Sequence, residues 1–417
     1  MFLKWIPTLL PTVFAIMMIV SMMDCHAFAP VGVIPRHASQ QQQRQLFNTP
    51  TPSAASAESS IVVNVASTES AVATLKTVLE REYLSFFDPM RTEYYDTKVT
   101  FDDPMTSLAG VAAYQNNVDL LASRTWLGKL LFDDAGILLH SVTGGQVNPN
   151  NGSIQDIITR WTLRVTVKLL PWTPAATFTG VSIYKVAPSS TPQKVIIVGQ
   201  TDYWDSVNLI QGGSYAPIDK TIAITDFLNQ LKPGGFQAAT AAPELPYTLL
   251  RRGNGYQVRR YPSYTGVRIK YGRRDEGFGS LGAFTKGMSP LGPALMTVQN
   301  KEASDKFMLW PLSYCQPGQD SPPLVPLAVD KSNDPQWRKC QLLTVPSTVV
   351  AVADFSDASM EPVVRKADRL LRDALARDGI DAPVVDGVQF AQYDAIFSMG
   401  KRRGEVWITL EDGGHPW

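Results

Sequence analysis

The stretch Ile157-Ile158-Thr159-Arg160-Trp161-Thr162-Leu163-Arg164-Val165-Thr166-Val167 alternates apolar and polar residues. Trp161, Leu163, Val165 and Val167 fall on one face and Thr162, Arg164 and Thr166 on the other, as a half-buried strand requires. Three more strand-like runs surround it with no helix between them, Ile137 to Val142, Phe178 to Val186 and Lys194 to Asp205. Upstream the period changes. Val72, Leu75, Leu79, Tyr83 and Phe86 recur at helical spacing, and so do Val111, Tyr114, Val118 and Leu121 after a short strand at Lys98 to Phe101 and a turn at Asp103-Pro104. Helices followed by a strand meander predict an α+β fold, a curved antiparallel sheet with helices on one face.

Past Gln211-Gly212-Gly213-Ser214 the chain offers one short helix between Ile222 and Leu231, then Pro233-Gly234-Gly235 and an Ala/Thr run from Ala238 to Pro243, which reads as a joint. A second pattern starts there. Strand-like runs at Tyr247 to Arg252 and Tyr256 to Tyr261 flank the turn Gly253-Asn254-Gly255, and Tyr264 to Tyr271 follows. Phe278, Leu281, Phe284 and Met288 then share an arc of about 120° on a helix. Gly279 and Gly282 inside that helix cost about 1 kcal/mol each relative to Ala; their use is to let something flat approach the backbone. The scheme repeats with a strand at Thr348 to Phe355 and a helix at Met360 to Asp378, with Ser359 as N-cap and Gly379 as C-cap. A hairpin from Tyr393 to Ser398 and Glu405 to Leu410 closes it. Two strand-helix halves predict a pseudo-symmetric, distorted β-barrel flanked by two helices.

The chain has 417 residues, enough for two or three domains, with 38 Lys+Arg against 38 Asp+Glu. Zero net charge removes the field that draws a protein to nucleic acid, which is excluded as a partner. Cys25, Cys315 and Cys340 form no CxxC or Cys/His cluster, so a structural zinc site lacks ligands. At the N-terminus Lys4 precedes an apolar stretch whose unbroken part, Val13 to Val20, suits a signal-peptide core rather than a membrane span. Small residues for cleavage sit in Cys25-His26-Ala27, and the segment from Phe28 to about Ser60, with Arg36, Arg44 and Glu58 as its charges, has transit-peptide composition. That order resembles the two-part plastid address of algae with secondary plastids. An ordinary secretory signal with a spacer is the alternative.

Two family resemblances follow from the motifs. Phe101-Asp102-Asp103-Pro104, Gly110 and Tyr114, set in helices followed by a meander, look like a plastid subgroup of the nuclear transport factor 2-like fold. This implies a cone of curved antiparallel sheet that holds a small apolar ligand or serves membrane-surface or protein docking. Asp102, Asp103, His140 and Asp202 are its titratable candidates, with Tyr203 and Trp204 as walls; a hydrogen-bonded core histidine and an Asp-Pro turn are the plainer readings. Glu244-Leu245-Pro246-Tyr247, Tyr256-Gln257-Val258-Arg259-Arg260-Tyr261-Pro262, Gly277-Phe278 to Gly287 and Glu405-Val406-Trp407-Ile408 are similar, in order, to the SOUL haem-binding family. Where that family reads Met-Thr followed by Ala-Pro-Val, this chain has Met296-Thr297-Val298-Gln299-Asn300.

The SOUL resemblance implies haem or another tetrapyrrole, bound non-covalently and reversibly in an apolar slot. The slot residues are Phe278, Leu281, Phe284, Met288, Met296 and Met308, with Arg273, Arg274 and Lys286 placed to meet propionates. Helix packing on the sheet accounts for the same stripe, and a solvated face for the same cations. His415, in the terminal tail, is the only histidine of this region, so strong axial ligation is not expected. Burying about 200 Å² of apolar surface contributes roughly 5 kcal/mol before association costs, which predicts micromolar binding. The expected role is a plastid tetrapyrrole carrier or buffer with no integral membrane span after processing. An enzyme that demetallates haem, with Asp275 and Glu276 as proton donors, and a structural module on plastid lipid bodies or an eyespot are the alternatives. These readings divide the chain into a signal peptide (1–27), transit peptide and linker (28–66), nuclear transport factor 2-like domain (67–212), linker with a short helix (213–243), SOUL domain (244–412) and tail (413–417).

Overall fold

The computed structural model describes residues 54–191, 193–232, 243–286, 288–298, 305–323, 325, 337, 339–356, 361–385, 387–393 and 403–411, with side chains of the first helix from Val65 onward. The expected signal peptide, the N-terminal part of the transit segment, Ser359, most of the expected strand from Tyr393 to Ser398 and the tail with His415 lie outside the described residues. The fold is mixed α+β, with two large sheets.

Helix α1 (Ala54–Leu84) is followed by β1 (Tyr95–Asp102), β2 (Ser107–Ala109), α2 (Val111–Leu121), α3 (Trp126–Leu131) and the long strands β3 (Phe132–Gly144), β4 (Ile157–Val167), β5 (Ala175–Pro188) and β6 (Val195–Trp204). Six strands make the first sheet, in the order β2-β1-β6-β5-β4-β3. The expected all-antiparallel arrangement does not hold at β1, which runs parallel to β6, Phe101 opposite Gln200. Short elements follow, α4 (Asp205–Asn208), the hairpin β7 (Leu209–Ile210) and β8 (Ser214–Tyr215), and α5 (Lys220–Gln230), capped by Asp219.

The chain divides into two compact units, and the division runs through the first sheet. One unit holds residues up to 120 with 143–158 and 183–201; the other holds 121–142, 159–182 and everything from 202 on. In the first unit Val72, Leu75, Leu79 and Tyr83 of α1 are buried as their spacing predicts. Tyr83 and Tyr184 share a hydrogen bond at 3.0 Å. Buried Glu82 accepts from the Tyr95 hydroxyl at 2.7 Å and the Arg91 N–H at 2.6 Å, fixing the chain that leaves the helix.

The second sheet lies wholly in the second unit. Its strands are β9 (Thr248–Gly253), β10 (Tyr256–Tyr261), β11 (Tyr264–Lys270), β12 (Ala294–Val298), β13 (Phe307–Tyr314), β14 (Cys340–Val345), β15 (Thr348–Ser356), β16 (Val388–Gln392) and β17 (Arg403–Leu410). Helix α6 (Arg274–Phe284) separates β11 from β12, and α7 (Glu361–Arg377) separates β15 from β16. The order β14-β11-β13-β12-β16-β17-β15-β10-β9 contains the expected pseudo-symmetry. The run β11-β13-β12 mirrors β15-β17-β16 across the β12–β16 pair, and the strand before each half, β10 or β14, pairs with the other half. The barrel is not closed, because β14 and β9 end the ladder.

One face of this sheet packs under both helices. Val258, Val267, Met296, Met308, Val349, Phe390 and Val406 meet Leu281 and Phe284 of α6 and Val364, Leu371 and Leu375 of α7. The other face gathers Leu245, Tyr261, Tyr264, Leu295, Val350, Val352 and Trp407. Gly379, with φ of +71°, ends α7 by the bonds Gly379 N–H to Ala376 O and Ile380 N–H to Leu375 O, as its place in the sequence predicts. Cys315 and Cys340 are free thiols.

Candidate functional site

Helix α6 is delivered by β11 through Tyr271-Gly272-Arg273 and held at its start by the Arg273 N–H, which reaches the Glu276 carboxylate at 3.4 Å. It ends at Phe284 rather than Met288, and the buried Thr285 hydroxyl that follows bonds back to the Leu281 carbonyl at 2.8 Å. Gly277 faces the sheet. A Cβ there would stand 3.1 Å from Met308 Cε and 3.3 Å from the Tyr271 side chain, so glycine lets the helix settle close. Gly279 and Gly282 point the other way, into open space on the exposed side of the helix, beside exposed Ala283.

The structure therefore separates residues that the sequence places in one slot. Leu281, Phe284, Met296 and Met308 are brought together, but in the core beneath α6, each almost fully buried against its neighbours. Phe278 is half-buried at the helix flank, 5.6 Å from the Trp310 ring and tilted edge-on to it. Met288 is half-buried in the turn after the helix. Lys286 is exposed just beyond the helix end, and Arg274 lies 5.8 Å above the Phe390 ring. Arg273 is 75% exposed and salt-bridged to Asp275 at 3.0 Å. The hydrogen bond from Arg273 holds the Asp275 carboxyl below its usual range, which keeps it ionised and makes it a poor proton donor at neutral pH.

Two aromatic residues escaped the sequence reading. Trp310, in Phe307-Met308-Leu309-Trp310, supports Phe278 and carries a buried indole N–H with no hydrogen-bond partner among the described residues. Trp337 stands edge-on to Phe284 at 5.8 Å. The alternation of Met308 and Trp310 within a strand was the available signal for the first; nothing local marks the second.

The motifs that carry the SOUL resemblance serve mainly as framework. Glu405 is fully buried and accepts from Arg259 at 3.0 and 3.1 Å, from the Tyr393 hydroxyl at 2.7 Å, from Trp407 Nε1 at 3.1 Å and from Arg403 at 3.2 Å. Arg259 is in turn covered by the Tyr247 ring at 4.3 Å. Such a pair persists because every acceptor site is used. It sits on the sheet face away from α6, among Tyr261 and Trp407.

The candidates of the first sheet do structural work. Asp103 accepts from the Met105 and Thr106 N–H groups at 2.7 and 2.5 Å, an Asp-Pro turn. His140 bonds the Thr162 hydroxyl at 2.8 Å. Trp204 stacks on Phe178 at 4.3 Å, and Tyr203 on Tyr215 at 5.7 Å. A shallow depression of about 420 Å³, lined by Arg372, Ala376, Gly379, Ile380 and Val384, lies at the end of α7 and not beside α6.

Fold and site define a two-part α+β protein whose second part is a pseudo-symmetric sheet under two helices. Residues 242–409 match the family described as SOUL heme-binding protein, and residues 73–192 match the one described as Uncharacterized conserved protein (DUF2358). The C-terminal match supports binding of haem or a related tetrapyrrole. No curated protein matches the chain. Among solved structures the chain is similar to the EcmrR C-terminal domain (9% identity, TM-score 0.27, 40% of this chain and 98% of that one). It is also similar to SAV2435 bound to tetraphenylphosphonium (13%, 0.23, 38% and 94%) and to the epoxide hydrolase/cyclase-like enzyme SalBIII (12%, 0.22, 36% and 92%). At these TM-scores the likenesses carry no argument. Among the described residues no helix is long and apolar enough to cross a membrane.

Proposed function

We propose that the protein is a plastid carrier or buffer for haem or another tetrapyrrole, held reversibly on the outer side of α6. The match of residues 242–409 supports the ligand class, and the outward, open Gly279 and Gly282 are the observation that carries the site. A planar ring needs a smooth surface with apolar edges and a cation at its propionate edge. The exposed side of α6 supplies Gly279, Gly282 and Ala283 as the surface, the half-buried Phe278 at its flank, and Lys286 or Arg273, at opposite ends of the helix, as the cation for the propionates. The ligand's own chemistry is light absorption and redox at the bound metal. The chain's residues only hold and shield the ring, and affinity rests on apolar contact, so metal-free and magnesium porphyrins bind as well.

Titration of the whole chain with haemin, protoporphyrin and a magnesium porphyrin tests this. The expected result is a shifted Soret band for all three at micromolar affinity with the ring recovered intact, and loss of the shift in Gly282→Leu, whose side chain stands where the ring lies. Unchanged binding by Gly282→Leu removes the α6 site, and release of free porphyrin from haemin replaces the carrier by a demetallating enzyme. The two-part address is tested separately by a fluorescent fusion of residues 1–66, expected in plastids and not in the medium.

A further inference from the structure

The strands that end the two sheets are not alike. β2 has three residues and β14 six. The outer side of β9 is filled by side chains: Arg160 donates to the Leu250 carbonyl at 3.0 Å, Thr162 to the Leu249 carbonyl at 2.8 Å, and the Arg252 N–H donates to Thr179 at 2.7 Å. β3 has thirteen residues and ends the first sheet, with no strand on its outer side among the described residues. Past Asp133 and Asp134 at its start, from Ala135 to Gly144, it contains no Lys, Arg, Asp, Glu or Pro, the devices that ordinarily block an edge. Gly136 has nothing within 4 Å of where a Cβ would stand, and Leu138 is 48% exposed. α3, which leads into the strand, shows Trp126 at 74% and Leu130 at 50% exposure.

We infer that β3 is an assembly edge and that its occupant is β3 of a second copy of this chain, paired antiparallel. Outward N–H and C=O groups along a strand that carries no charge after Asp134 are a template for another strand. A second copy fits because antiparallel self-pairing about a two-fold axis is isologous, each partner supplying the same residues. With the axis anywhere near the middle of Ile137 to Thr143, Asp133 and Asp134 face uncharged residues of the other copy's far end and not each other. The same geometry carries Trp126 and Leu130 of each copy toward the end of its partner's strand, which covers apolar side chains that a lone copy leaves in water.

Sedimentation of the whole chain at micromolar concentrations is the test, with Gly136→Lys/Leu138→Lys as the variant. Both positions are open, so the lysines disturb no core, and they place charges on the strand edge, which oppose its pairing with another strand. The wild type is expected to sediment as a dimer and the double variant as a monomer whose association is at least about tenfold weaker, with an unchanged circular dichroism spectrum. Amide exchange between 135 and 143 should be slow in the wild type and fast in the variant. Leu84→Lys, an exposed position on α1, should leave the dimer intact. A monomeric wild type, a dimer that survives the two lysines, or one that Leu84→Lys also dissolves overturns the inference.

Discussion

His140 shows how one side chain ties pH to stability. Thr162 gives its hydroxyl hydrogen to the Leu249 carbonyl, so His140 Nε2 is the donor in their 2.8 Å bond. Burial, with help from the Arg160 and Arg260 guanidiniums and against the pull of Asp205, holds the imidazole down at about 4. The unfolded chain takes up this proton near 6.5 and the folded one does not. The contribution is therefore complete above about pH 6.5 and is lost as pH falls toward 4, the loss reaching about 2 kcal/mol at pH 5. Urea midpoints at pH 7.5 and pH 5 should fall less for His140→Gln than for the wild type; parallel falls would sink the assignment. In the sequence His140 was one lone histidine on a strand, and whether it served a pocket or the core could not be read, because the deciding partners, Thr162 and Leu249, come from other strands.

At the scale of elements, α6 was legible as a stripe and illegible as a site. Leu281 and Phe284 do face the sheet, with Phe278 at the flank, yet a stripe at helical spacing is the signature of burial, and burial is what Leu281 and Phe284 undergo. The glycines were the better pointer, since a residue that weakens a helix and touches nothing in it requires another reason to be there. Gly279→Ala and Gly282→Ala separate the two effects. Each Cβ meets open space, so each change should stabilise the fold by about 0.5 to 1 kcal/mol in urea melts. The same changes should weaken porphyrin affinity, with the pair acting more strongly than either alone. Stabilisation without loss of binding would move the ring off this face. The strands β12, β13, β14 and β16 were not expected from the sequence. β12 and β16 are five residues long and buried on both faces, so their runs show no alternation to read.

For the whole molecule, the strand order of the second sheet was half readable. Two strand-helix halves were visible in the period of the apolar residues, whereas the exchange of β10 and β14 between halves, and the open ladder, depend on what the end strands meet. β9 meets a buried charged network. Asp205 accepts from Arg160 at 2.7 Å, from Thr179 at 2.6 Å and from Tyr215 at 2.6 Å, with Arg251 at 4.0 Å. Thr179 passes the link on by accepting the Arg252 N–H, and Arg160 does so through the Leu250 carbonyl. The N-terminal sequence thus supplies what closure of the barrel would have supplied, partners for the last strand, and the linker expected at 213–243 hides a firm connection. Burial opposes ionisation of Asp205, but the Arg160 and Arg251 guanidiniums override it and hold the carboxyl below its usual range, so its share of stability is present above pH 4 and disappears as pH falls further. Asp205→Asn keeps the shape and removes the charge, leaving Arg160 buried without its counter-ion, a loss of about 3 to 5 kcal/mol. The thermal transition should move down as a single step, and the Arg252 amide should exchange faster. A second, separate transition, with β9 amides still protected, would show that the end strand is stable without the network.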